Sequence, residues 1–136
     1  MQLPILKPLK IQNENIFKNF LGEKRDEKDF IVLTFDENDY YFLICKNTNE
    51  NLANNYYFLD QIENNNLFAD TSFIYKIEKR FLNENVDHEE VKNNKFIKVE
   101  KRKEILSLIK SNLESENNKP MIINLIKKPN ESQSHN

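Results

Sequence analysis

The sequence holds a single glycine, Gly22, in 136 residues. A loop that wraps backbone N–H groups around phosphates needs several glycines, so nucleotide binding of that kind is excluded. Cysteine is equally scarce. Cys45 alone cannot form an internal disulfide, and its place in an apolar run predicts a buried thiol and a reducing compartment. One cysteine and two histidines, His88 and His135, do not make a zinc constellation. His88-Glu89-Glu90 also lacks the second histidine, four residues on, that a zinc-protease helix needs. No stretch approaches the ~18 apolar residues of a membrane-spanning helix, and Pro4 and Pro8 interrupt the short apolar start, which does not read as a signal peptide. The expectation is a cytoplasmic protein without a membrane role. The net charge of −2 supplies no global basic field, so a polyanion would have to be held by a local patch.

What is present is bulky. Apolar residues are 38% of the chain, and ten Phe and five Tyr give a core its volume. The length suits one core rather than two. A single α+β domain is expected over residues 1–126, beginning with an extended arm over about residues 1–12. Residues 127–136 read as a disordered polar tail.

Residues 13–21 place Ile16, Phe17, Phe20 and Leu21 on one helical face, with Gly22 where a helix C′ residue belongs. Phe30-Ile-Val-Leu-Thr-Phe35 and Tyr40-Tyr-Phe-Leu-Ile-Cys45 flank a short polar loop and predict a β-hairpin. Both runs are apolar on both faces, so they should be central strands. Tyr56 to Ile62 and Ser72 to Ile77 read as further strands separated by a turn at Asn64-Asn-Asn66, and Met121 to Ile126 as a fifth. Asp87 and Glu90 have capping-box spacing for a helix starting at His88. Ile105, Leu106, Leu108, Ile109 and Leu113 trace a helical stripe through a long helix over 99–116, which Pro120 prevents from continuing. The expected fold is a strongly curved antiparallel sheet of about five strands, with this long C-terminal helix and short additional helices.

Carboxylates fall in charged loops, as at Asp36 and Asp39, and read as solvated turn residues; no metal or other cofactor is expected. Lys76, Lys79 and Arg80 close the fourth strand, and Lys92, Lys95, Lys98, Lys101, Arg102 and Lys103 form a basic segment that could hold a phosphate backbone. Tyr40 and Tyr56 are candidates for stacking on bases.

The order of elements from residue 25 to 113 resembles the MazF/PemK-type toxins, SH3-like barrels that cleave RNA. Phe30-Ile-Val-Leu33 stands where that family has an apolar strand following an arginine. Tyr41-Phe-Leu-Ile-Cys-Lys-Asn-Thr48 resembles the next strand, which ends in a catalytic Thr or Ser. Thr71 to Leu82 resembles a strand entering a basic and aliphatic loop, and Glu104 to Ile109 the terminal helix. The pattern departs from the family at Arg25, which precedes the strand by five residues and is not followed by proline; Lys28 stands closer. A Gly-rich opening strand is also missing.

The resemblance implies a metal-independent endoribonuclease acting on single-stranded RNA, with Arg25 as phosphate clamp and Thr48 as hydroxyl partner. Lys28, Lys46 and Ser72 are second choices, and Lys76, Lys79, Arg80, Lys95 and Lys98 are RNA-binding candidates. It also implies an antitoxin-like protein partner and a homodimer. The chemistry requires a deprotonated 2′-OH, a stabilised phosphorane charge and a protonated leaving oxygen. The alternative reading is a non-catalytic RNA- or protein-binding module on an SH3-like barrel.

Overall fold

The computed structural model describes residues 2–12 and 28–125. The helix expected over 13–21, Arg25 and the polar tail all lie outside the described residues. Over the described residues the fold is α+β: a mostly antiparallel sheet of seven strands with three helices. In chain order these are β1 (Leu9–Lys10), β2 (Asp29–Phe35), β3 (Asp39–Thr48), β4 (Tyr56–Ile62), β5 (Asn65–Asp70), β6 (Phe73–Glu78), α1 (Lys79–Asn83), α2 (His88–Asn93), α3 (Val99–Leu113) and β7 (Met121–Leu125).

β3 organises the sheet. One of its edges pairs antiparallel with β2, from Asp29↔Cys45 to Phe35↔Tyr40. Its other edge is divided. The first half pairs with β6 from Asp39↔Glu78 to Phe42↔Tyr75, and the second half with β5 from Cys45↔Ala69 to Thr48↔Asn66. The break between β5 and β6 falls at Thr71-Ser72. There Thr71 donates both its N–H and its hydroxyl to the Asn55 carbonyl, and the Ser72 N–H donates to Asp70 Oδ1. Beyond the break the sheet continues with β4 beside β5 and β7 beside β6. The described sheet is open and does not close on itself.

The hairpin predicted at residues 30–45 forms, and its strands are central as their two-sided apolar character requires. On one face Phe30, Val32, Tyr40, Phe42 and Ile44 pack with Leu3, Leu9, Tyr75 and Leu82 from the arm, β6 and α1. The opposite face carries Ile31, Leu33, Leu43 and Cys45 against Leu59, Leu67, Ile105 and Ile109 from β4, β5 and α3. Fully burying side chains of this size contributes roughly 1.5–3 kcal/mol each. Cys45 is buried, and burial pushes its thiol pKa well up, so it behaves as an apolar side chain.

Polar groups tie the arm down. Tyr40 Oη accepts from the Leu3 N–H at 3.0 Å and donates to Asn83 Oδ1 at 2.8 Å, which links the arm to α1 through the core. Lys7 is itself buried; its ammonium donates to the Val91 carbonyl at 2.5 Å and lies 5.0 Å from the Phe96 ring centroid.

Four expectations differ from what forms. The Asn64–Asn66 turn is tighter than read: only Glu63 and Asn64 form the loop, with Glu63 at φ 56°, and Asn65 already begins an additional strand, β5. The basic stretch after β6 is the short helix α1 rather than a loop. β7 runs parallel to β6, because α1, α2 and α3 form the crossover that a parallel pair requires. The long helix ends at Leu113, short of the expected residue 116, while the strand expected after it forms as β7. At α2 the Asp87 carboxylate caps the helix, though it accepts from the Glu89 N–H and not from that of Glu90.

Candidate nucleic-acid interface

β3 ends in Lys46-Asn47-Thr48, all half-buried, on the side of the sheet where β2 begins at Asp29. Directly opposed residues share a face, and residues two apart along a strand share it as well. Lys46 opposes Phe68, and Phe68 opposes Phe58 on the outer strand β4. Thr48 stands two residues beyond Lys46. Thus Lys46, Thr48, Phe68 and Phe58 lie on one face of the β3–β5–β4 sub-sheet.

The two phenylalanine rings meet edge to face, with centroids 5.8 Å apart, and Phe58 is 38% exposed. Lys101, reaching over from α3, places its ammonium 5.5 Å from the Phe58 centroid and 3.3 Å from Glu104 Oε2. Tyr57, next to Phe58 on the strand, donates its hydroxyl to the same carboxylate. Burial first, and this bond second, push the Tyr57 pKa up to about 12. The bond and the Lys101 ammonium pull the Glu104 pKa down.

Thr48 Oγ1 accepts from the Glu50 N–H at 3.1 Å, the geometry of a turn-stabilising hydroxyl. Among the described residues this hydroxyl donates to no protein group. Lys28 is exposed immediately before β2. Its register with β3 puts it at the same end of the hairpin as Lys46, while Arg25 lies outside the described residues.

The other candidates are placed elsewhere. Lys76, Lys79 and Arg80 stand at the opposite end of β3, where Asp39 opposes Glu78, roughly 30 Å along the strand from Thr48 at ~3.3 Å per residue. Lys76 pairs with Asp39 at 3.7 Å, and Arg80 pairs with Glu78 at 2.9 Å and stacks on Phe81. Lys79 sits 4.6 Å from the Phe35 centroid and donates to Gln2 Oε1. Ser72 occupies the break between β5 and β6, where its carbonyl accepts from the Met121 N–H. Lys98 is the residue before α3, and Lys95 lies at the rim of a cavity of about 390 Å³ lined by Lys10, Asp29, Asn47, Asp60 and Glu90.

No family model, curated protein or solved structure matches this chain. The candidate face therefore stands on its own geometry. Of the two tyrosines read as stacking candidates, Tyr40 is fully buried and cannot meet a base; Tyr56 is half-buried. On this face the exposed ring is Phe58, which the sequence pattern absorbs into a strand. The signal was present: Tyr56-Tyr-Phe58 places bulky aromatics consecutively, so at least one must face away from the core.

Proposed function

We propose that this protein acts on single-stranded RNA through the β3–β5–β4 face, as a metal-independent endoribonuclease of the MazF/PemK kind. The observation that carries the reading is the shared face of Lys46, Thr48, Phe68 and Phe58. An exposed aromatic offers a stacking platform indifferent to base identity, and a lysine beside it tracks the phosphate backbone. Thr48 then meets a non-bridging phosphate oxygen with the hydroxyl proton its turn does not use.

In this reading Arg25 is the residue that holds the phosphate in a bidentate fork. The divided pairing of β3 supports the SH3-like barrel as the underlying plan, with the strand shared by two sub-sheets. An antitoxin-like partner and a homodimer belong to the same proposal.

One observation favours a second reading. The described part of the interface already has what binding needs, a stacking ring and ammonium groups, whereas cleavage depends on Arg25 outside it. A non-catalytic RNA-binding module is the form the function takes if Arg25 does not act.

The test is cleavage of a mixed-sequence single-stranded RNA by the purified chain in EDTA, beside Arg25→Ala and Thr48→Ala. Cleavage by the wild type that both substitutions abolish is the expected result. Binding without cleavage, from protein shown to be folded and free of partner, would leave the module reading in its place.

A further inference from the structure

The sheet has three outer edges, and they are finished differently. At the first, β1 is only two residues long and carries Lys10, and the arm lies along β2 with the Leu6 N–H donating to the Val32 carbonyl. At β4 the register shifts between Phe58 and Asp60, and the Asp60 carboxylate accepts from the Gln61 N–H of its own strand. Short strands, lysines, bulges and charges are the devices that keep an edge from pairing with another chain. β7 has none of them. Met121-Ile-Ile-Asn-Leu125 is uncharged, keeps an unbroken register with β6, and among the described residues pairs with β6 alone. It also carries the two most exposed large apolar side chains of the described residues, Met121 at 62% and Ile122 at 55%. We propose that β7 is a dimerisation strand, which pairs antiparallel with β7 of a second copy of this chain about a two-fold axis at Ile123.

The backbone groups fix the register. The Met121 N–H donates to the Ser72 carbonyl, so Met121 turns its hydrogen-bonding groups toward β6. These directions alternate along a strand in a parallel pair, so Ile123 and Leu125 face β6 as well. Ile122 and Asn124 therefore direct their N–H and C=O groups outward. An antiparallel partner exchanges both bonds at alternate opposed pairs. With the axis at Ile123, Ile122 meets Asn124 of the partner subunit and Asn124 meets Ile122 of the partner subunit, which uses every outward group in about four hydrogen bonds. An axis at Ile122 would set Asn124 against Pro120 of the partner subunit, which has no N–H to give. An axis at Asn124 would carry Ile122 past the end of the strand.

The side chains agree with that register. Opposed residues share a face, so Met121 lies opposite Leu125 of the partner subunit, and Ile123 opposite Ile123 of the partner subunit. Leu125 is buried in the core of Phe42 and Tyr75, and Ile123 packs against it half-buried. The pairing extends this core across the axis and covers Met121. The strand brings no charge to the axis, so a second copy meets no like-charge repulsion, whereas a partner recognised by charge would find nothing in β7 to bind. A two-fold interface needs only a patch complementary to itself, and β7 is one. Five residues from each copy make a contact smaller than the ~1,200 Å² of stable interfaces, so the dimer should dissociate on dilution. The inference names the surface of the homodimer put forward above and rests on that part of the reading; RNA cleavage is measured separately, so either can fail without the other.

The experiment is sedimentation velocity of the full chain from about 1 μM to about 1 mM, over which the wild type should pass from monomer to dimer. Ile122→Lys adds the charge that natural edges carry, and Asn124→Pro removes an outward N–H, hence about two of the four bonds. Each should raise the dissociation constant at least about tenfold with urea unfolding unchanged, and the exposed Ile122→Lys serves where Asn124→Pro fails to fold. Gln61→Lys, on the β4 edge, should leave dimerisation as it is. Ile123→Cys, treated with copper–phenanthroline as oxidant, should cross-link, because opposed residues without a hydrogen bond lie ~4.5 Å apart, within reach of a disulfide. Met121→Cys should cross-link far more slowly. A monomer at every concentration would leave the edge to a strand of another polypeptide and overturn the proposal. So would a dimer indifferent to Ile122→Lys and Asn124→Pro, a dimer broken by Gln61→Lys, or faster cross-linking through Met121→Cys.

Discussion

The two halves of β3 share a strand but have opposite fates. Between Tyr40 and Cys45 every second residue faces the arm, β6 and α1, and the intervening ones face β4, β5 and α3, except that Tyr41 is only half-buried. From Lys46 to Thr48 the same backbone pairs with β5 but carries half-buried polar side chains. The difference lies in what covers each half. A strand covered on both faces must be apolar at every position, whereas a strand leaving the core can spend alternate positions on chemistry. One element thus serves as core and as scaffold, and a side chain mounted on it inherits the rigidity of the buried half.

The largest effect should come from the buried half. Phe42 stacks on Tyr75 with centroids 5.4 Å apart and meets Phe30 edge-on at 5.5 Å. Phe42→Ala should cost about 3–5 kcal/mol in urea unfolding, the range for emptying an aromatic site in a core. Phe58→Ala, in the outer strand, should stay within about 1 kcal/mol. Equal losses would mean that the β4–β5 hairpin is core after all, and the contrast would fail.

α3 sharpens the same contrast at single-residue resolution. Ile105 is fully buried and its neighbour Leu106 is 44% exposed. Ile105→Ala should destabilise by about 2–5 kcal/mol and Leu106→Ala by about 0.5 kcal/mol or less. Thermal or urea unfolding of the pair checks it. Comparable costs would indicate that Leu106 is covered in the assembled protein.

Under the proposed RNA-binding role the order reverses. Phe58→Ala should weaken binding of single-stranded RNA by about 5–150-fold, the equivalent of 1–3 kcal/mol for one stacked base. Lys46→Ala should lower the slope of log affinity against log salt by about 1, the signature of one lost phosphate contact. Lys76→Ala, at the far end of β3 and already paired with Asp39, should leave that slope unchanged.

Why some of this could be read from sequence follows from the same physics. The β2–β3 hairpin declared itself because two-sided burial produces continuous apolar runs. The α2 cap was visible because Asp87 acts within its own turn. β5 escaped notice because Asn65-Asn-Leu-Phe-Ala-Asp70 begins in asparagines; pairing to β3 and β4 makes it a strand, and its propensity does not. The parallel partnership of β7 depends on a crossover through three helices, which no local pattern encodes. At the candidate face Thr48 was singled out from its position at a strand's end. Phe58 and the acceptor-lined cavity depend on residues far apart in sequence, and only tertiary pairing brings them together.

The smallest effect concerns how the hairpin is fastened to α3. Tyr57 donates to Glu104, and the two groups are displaced in opposite directions: the phenol up to about 12, the carboxyl downward. A raised folded-state phenol pKa gives stability that is complete below the ordinary phenol value near 10 and is lost as pH rises toward about 12. The lowered carboxyl gives stability that is complete above its ordinary value and is lost as pH falls through the depressed one. Both groups are largely solvent-facing, so the contribution is modest and screened by salt. It should nevertheless have a recognisable shape: a plateau through neutral pH with a shallow decline at each end. Tyr57→Phe should remove the contribution of this pair at both ends. Glu104→Gln should lower the phenol titration, followed by ultraviolet absorbance, only part of the way to 10, because burial is the larger cause of its shift. A phenol that returns fully to 10 in Glu104→Gln would show that the bond to Glu104, and not burial of the ring, is the main cause of its shift.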